Sequence, residues 1–341
     1  MDLPAYICVI QDTRIEQPVA RNQLPAAKSQ QPGTRNQRPV SGDKKLKTVE
    51  NPKRIILWVL VVLYTLAMPY FIFVFSMISR HFSTKTAGHI PLFMIIFLAA
   101  AYTAICFRLE KIGRCIGILA IGAAIVAGIM AFEENANKYI HIPEYILMSW
   151  LLYRALIIDY RGRGILLLVL ICAGMLGVVD EILQGIHPLR TYGWKDMIID
   201  AASSFIGILT IMGLKEPISG DWSWVGYLKH YKAFVGAILF GMPTAVLMCI
   251  HLFEVQNGGS FKDVFPSWLL AAQIIIIGWT MATIVFYWNR RAGSGKFTTG
   301  QDQNAIQYNT TALLWSICPM VILACMNLLV VWVGVSGLEF G

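Results

Sequence analysis

Four carboxylates fall between residues 180 and 200 of this chain: Asp180, Glu181, Asp196 and Asp200. Gln184, His187, Arg190 and Lys195 are interspersed among them, and Lys138, His141 and Glu144 stand upstream. These residue types support acid–base and anion-binding chemistry. An imidazole carries a proton near neutral pH, a carboxylate can serve as a base, and an arginine can hold an anionic group. The candidate catalytic set is His141, Glu144, Asp180, Glu181, Gln184, Asp196 and Asp200. Lys138 and Arg190 are the candidate substrate-binding groups. His141-x-x-Glu144 has the i, i+3 spacing that can put two ligands on one side of a helix. Only two histidines, His141 and His187, are near, so on ligand count no metal is expected. No cofactor is expected either.

Three helix ends must position these groups. Pro143 marks a first-turn position, so a helix starts near it, with Glu144 in its first turn. Asp180, Glu181 and Gln184 close a second helix; Asp196 and Asp200 open a third. Glu144 and Asp196 have a bland explanation as first-turn acids that complement the helix dipole, worth about 0.3–1 kcal/mol each. Asp180 and Glu181 do not, because a helix C-terminus repels anions. Asp200 lies a turn inside its helix, with the like charge of Asp196 four residues before it. Such a group needs cations or shared protons, available from Lys138, His141, His187, Arg190 and Lys195. A purely structural ion-pair knot tying three helices together is the competing interpretation.

The surrounding sequence is apolar. The 341 residues are 56% hydrophobic and 14% charged, with mean hydropathy +0.59. Soluble domains carry roughly 25% charged residues, so the composition is that of a membrane protein. Nine stretches approach the roughly 20 residues needed to span the hydrocarbon: about 55–79, 90–107, 113–132, 142–158, 164–185, 195–214, 233–253, 268–288 and 311–333. The fold class expected is an all-α transmembrane bundle of about nine spans. With the N-terminus cytoplasmic, the inner side collects 21 Lys and Arg residues and the outer side 6. That asymmetry predicts N-terminus in and C-terminus out, with the candidate site at the outer face. The +8 net charge follows from topology and attraction to anionic lipid, and nucleic acid is not needed as a partner. Acids near a bilayer core are costly, about 2.5–3.5 kcal/mol each at a helix centre, and a chain that gathers several usually uses them.

Four regions follow. Residues 1–54 form a polar, basic tail expected to be disordered and cytoplasmic. Residues 55–89 hold the first span and an outer loop, 90–214 the acid-bearing spans, and 215–341 three further spans poor in charge. Met242-Pro243 is expected to kink one of these. The seven cysteines are scattered with no CxxC pair and are expected as packing residues, not a disulfide or metal framework. Gly293-Ser294-Gly295-Lys296 lacks the glycine spacing of a phosphate-binding loop.

The order Lys138-x-x-His141-x-x-Glu144-Tyr145, Gly177-x-x-Asp180-Glu181-x-x-Gln184, Arg190, Asp196 and Gly207 resembles the VanZ-like family of bacterial membrane proteins. With the flanking spans the resemblance covers about residues 90–214. The family usually has asparagine at the position of Asp200 and glycine at that of Ser203. The resemblance implies a multi-pass protein of the bacterial cytoplasmic membrane, linked to the cell envelope and to glycopeptide (teicoplanin) tolerance, with no molecular mechanism attached. Membrane lipids are the expected surroundings; oligomeric state is open.

Three functions stay open on this sequence. One is binding of, or catalysis on, a polar envelope component or lipid headgroup, with Arg190 holding an anionic group, His141 carrying a proton and Asp180 or Glu181 acting as base. The second is transport of a proton, cation or small solute. The third is a non-catalytic envelope scaffold. The acids lie near one face, whereas carrier sites normally sit near the midplane, which favours the first.

Overall fold

Backbone polar groups in hydrocarbon must be satisfied within their own segment, so an apolar chain of this kind folds as helices. The structure, a computed structural model, describes residues 52–160, 162, 164–187, 190–215, 221–293 and 303–341, and these contain helices and no strand. In order they are α1 (Pro52–Ala67), α2 (Phe71–His81), α3 (Thr84–Arg108), α4 (Ile112–Phe132), α5 (His141–Leu156), α6 (Ile165–Ile186), α7 (Trp194–Leu214), α8 (Lys232–Gln256), α9 (Phe261–Val264), α10 (Ser267–Gly293) and α11 (Gln303–Ser336). Short 3-10 segments at Met68–Tyr70, Ala136–Ile140 and Ser223–Tyr231 connect some of them. The N-terminal tail through Asn51, the basic pair Arg161 and Arg163, and Ser294-Gly295-Lys296 lie outside the described residues.

Among the described residues, eight helical segments are long and apolar enough to cross a membrane. The stretch expected at 142–158 is not among them. It forms α5, whose 16 residues extend about 24 Å, short of the roughly 30 Å of hydrocarbon. Its surroundings explain how so short a helix is stable: eleven of its residues are buried, packed against α1, α6 and α7. Arg54 at the start of α1 pairs with Asp159 just beyond α5. Tyr64, nearer the end of α1, donates to the Glu144 carbonyl at 3.1 Å, so the two helices run antiparallel.

α5 and α7 run parallel and unusually close. Gly207 permits it: a Cβ there would lie 2.7 Å from the Ser149 Cβ. Ser149 donates to its own Tyr145 carbonyl at 2.9 Å and lies 3.2 Å from the Ser204 carbonyl oxygen of α7. One turn on, the Trp150 indole N–H meets Thr210 Oγ1 at 3.0 Å. α6 returns antiparallel to both after a turn through Gly162 and Gly164, whose φ values of 117° and 101° suit glycine.

α8, α10 and α11 pack on the far side of α6 around Met248, Leu252, Leu269, Leu323 and Val330, all fully buried. Pro243 sits inside an unbroken α8. The final residues turn back toward the acid-bearing helices: the Tyr192 N–H donates to the Gly341 carbonyl at 2.8 Å, and the Gly341 N–H to the Gly185 carbonyl at 2.9 Å. One expectation is corrected. Cys106 and Cys115 form a disulfide across the α3–α4 hairpin, because the tight turn between the helices faces the two residues at a Cα separation of 6.3 Å.

Candidate functional site

The parallel run of α5 and α7 places His141 opposite Asp200, and the antiparallel α6 brings Asp180 and Glu181 to the same end. His141 Nδ1 is 3.1 Å from Asp200 Oδ1 and 3.7 Å from Glu144 Oε2. Asp200 reaches this position because residue 177 of α6 is glycine. A Cβ there would stand 3.0 Å from both the Asp200 Cβ and its Oδ2. Asp180 Oδ2 accepts from Gln184 Nε2 at 3.0 Å, one turn along the same helix, and lies 3.5 Å from the Tyr145 hydroxyl. Glu181 Oε2 accepts the Gly193 N–H at 2.9 Å, which ties the end of α6 to the start of α7.

Lys138 is the main cation in direct contact with the group. Its Nζ is 2.9 Å from Asp196 Oδ1 and 3.8 Å from Glu133 Oε2, and Lys195 also lies 3.8 Å from Glu133. Glu133, at the end of α4, therefore joins the site's rim, a role its sequence context did not suggest. Lys138 was expected to bind substrate; here it is engaged by Asp196.

Arg190 is placed differently from the simplest expectation of an arginine beside four acids. Its guanidinium meets no carboxylate within salt-bridge distance among the described residues. Nε donates to Gln184 Oε1 at 3.0 Å, and Nη2 contacts the same oxygen. Gln184 in turn donates to Asp180. The amide thus relays between cation and acid, fixing its own orientation with the carbonyl toward Arg190 and the NH2 toward Asp180.

His141, Glu144, Asp180, Glu181, Gln184, Asp196 and Asp200 are thus brought into one region with Lys138, and Arg190 is attached through Gln184. All seven are buried, and Asp180, Glu181 and Asp200 are fully so. His187 stands apart, stacked edge-on against Phe73 at a ring separation of 5.4 Å. Asp180 Oδ1, Glu181 Oε1 and Asp200 Oδ2 have no hydrogen-bond partner among the described residues. A buried, unpaired polar oxygen costs about 1–3 kcal/mol, and more when charged, so the protein holds these acceptors at the expense of its own stability.

Sequence reasoning gave several contributors no role. Tyr145 is four residues after His141 and so on the same helix face, a signal that was legible. Gly177 and Gly193 act through the space they leave, which a single sequence does not display. Phe340 packs on Tyr192 with ring centroids 5.3 Å apart, a contact between residues distant in sequence. No family model, curated protein or solved structure matches the chain.

Proposed function

We propose that this chain is a VanZ-like protein of the bacterial cytoplasmic membrane whose acid-bearing site binds and acts on the polar headgroup of an envelope lipid or a related envelope component. The observation that carries this reading is the cluster of buried acids at one end of α5, α6 and α7, with carboxylate oxygens that no group among the described residues satisfies. Sites that bind polar groups keep such donors and acceptors unpaired for the ligand. A second feature supports an amphiphilic ligand. The last turn of α6 also lines an apolar groove of about 350 Å³, with Leu66, Tyr70, Leu183, Ile186 and Trp332 among its walls. Polar cluster and apolar groove share one helix end, the division of an amphiphile into headgroup and chain.

In this reading α5 is a ninth crossing, the N-terminus is cytoplasmic and the site faces outward, as the basic asymmetry implies. A membrane-impermeant thiol reagent checks it: a cysteine placed between 295 and 305 should stay unlabelled in intact cells, and labelling there overturns the orientation. Asp180 and Glu181 serve as base candidates, His141 as proton carrier, and Arg190 acts on the ligand or through Gln184. The link to glycopeptide tolerance supplies the functional assay. Asp180→Asn and Glu181→Gln, near-isosteric changes, should abolish envelope-antibiotic tolerance while membrane abundance and thermal stability stay near wild type. Parallel loss of protein and phenotype would leave the site a structural knot.

A further inference from the structure

Five acids crowd this site, and the positive groups that meet them directly are few. Lys138 is committed to Asp196 and Glu133, and Arg190 is committed to Gln184. Around His141 the remaining acids divide into two sets. Ligand atoms of His141, Asp180 and Asp200 lie within 4.8 Å of one another, and so do those of His141, Glu181 and Asp196. The two sets differ in what already holds them. Asp196 has the Lys138 ammonium against it, and one Glu181 oxygen is taken by the Gly193 N–H. A lysine beside a site repels a metal ion. In the other set one Asp180 oxygen is likewise taken, by Gln184, but no lysine stands within salt-bridge distance among the described residues, and Asp180 Oδ1 and Asp200 Oδ2 are buried with no hydrogen-bond partner among those residues.

We infer that His141, Asp180 and Asp200 form a binding site for one divalent transition-metal cation of the zinc or manganese type. One imidazole with two carboxylates is a nitrogen–oxygen donor set that suits these ions. Ions of this size hold ligands at roughly 2.0–2.2 Å, so neighbouring ligands of a tetrahedral centre stand roughly 3.4 Å apart. His141 Nδ1 and Asp200 Oδ1 already stand at 3.1 Å, and rotation of the Asp180 carboxylate, within 4.8 Å of both, completes the set. A double positive charge offsets the acids that the protein's own cations leave uncompensated, and three protein ligands leave further positions for water or an anionic headgroup oxygen. Gln184 then has a positioning role: its NH2 group occupies Asp180 Oδ2 and leaves Oδ1 for the ion. From sequence the ligands in view were His141, Glu144 and His187, too few for a metal; α6 and α7 place two aspartates beside His141. The inference deepens the headgroup reading and rests on it only for what the ion would engage.

The full chain, purified in detergent, stripped with chelator and dialysed, should take up about one Mn²⁺ or Zn²⁺ per chain. Uptake is read by the electron paramagnetic resonance of bound Mn²⁺ and by elemental analysis for Zn²⁺, with a rise in thermal midpoint. Asp180→Asn and Asp200→Asn should each bind roughly tenfold or more weakly, while Glu254→Gln, paired with His251 on α8 and in neither ligand set, should bind as wild type. If one variant does not fold, the wild-type uptake and the other variant decide. No uptake by wild type, or unchanged uptake in the aspartate variants, overturns the inference. Uptake that depends on both aspartates, with antibiotic tolerance indifferent to them, keeps the metal site and removes the headgroup reading.

Discussion

The two sides of α6 bury polar groups in opposite ways. On the side of α5 and α7 the buried polar side chains include five acids and a histidine. On the side of α8, α10 and α11 they are neutral: Thr244, Gln273, Thr280, Thr283, Thr311, Ser316 and Asn327. Most of the second group satisfy themselves within their own helix. Thr244 donates to the Phe240 carbonyl at 2.6 Å, Thr283 to Trp279 at 2.6 Å, Thr311 to Gln307 at 3.0 Å and Ser316 to Ala312 at 3.1 Å. A hydroxyl can do this because helix carbonyls keep a free lone pair. An ionised carboxylate cannot, because it only accepts and mid-helix N–H groups are already used. Each acid must therefore find a side-chain or helix-end donor, as Asp180 finds the Gln184 amide, or remain unpaired. One side of α6 is a packing device; the other depends on how three helix ends meet.

Predictions that break or sharpen this contrast separate stability from function. The largest stability effect should fall on the apolar side. Met248→Ala, at a fully buried position, should cost about 2–5 kcal/mol through the cavity it leaves. The folded fraction that remains should keep site function, measured as tolerance per unit of membrane protein. A loss of tolerance beyond the loss of protein would show that the two sides are coupled. Arg190→Ala should fall below that. Set among four acids in sequence, Arg190 looked like their counter-charge, whose removal would cost about 3–5 kcal/mol. Its partner is the neutral Gln184, so the expected cost is about 1.5–3 kcal/mol, the scale of a hydrogen bond from a charged group. Gln184→Leu should give a similar loss, and the double variant little more, since both delete one relay. Additive losses in that cycle would refute the relay. At the small end stand Asp180→Asn and Glu181→Gln, with stability near wild type and function gone.

The link between the sides runs through the chain's last residues. Phe340 and Gly341, which follow α11, pack on Gly185 and Tyr192, at the ends of the elements that carry Glu181, Gln184 and Asp196. The charge-poor helices thus touch the site's rim.

Residue types and spacing were enough to place much of this protein. Hydropathy located the helices, because apolar runs in a bilayer have no alternative to helical hydrogen bonding. The adverse position of Asp180 and Glu181 at a helix C-terminus singled them out, because the helix field is a local property. The i, i+4 relation of Asp180 and Gln184 is local as well, and the two do meet. Other features depended on which helices pack together. The Cys106–Cys115 disulfide needed the hairpin to close, and the length of α5 mattered only once its neighbours were known to enclose it. Gly177 looks like any helix glycine until α7 presents Asp200 against it. Arg190 could reach any of several acids by sequence distance alone, and the fold sets it against Gln184. Helix periodicity and local fields are written along the chain, whereas the partner of a buried acid is set by the register between helices, a property that no single segment contains.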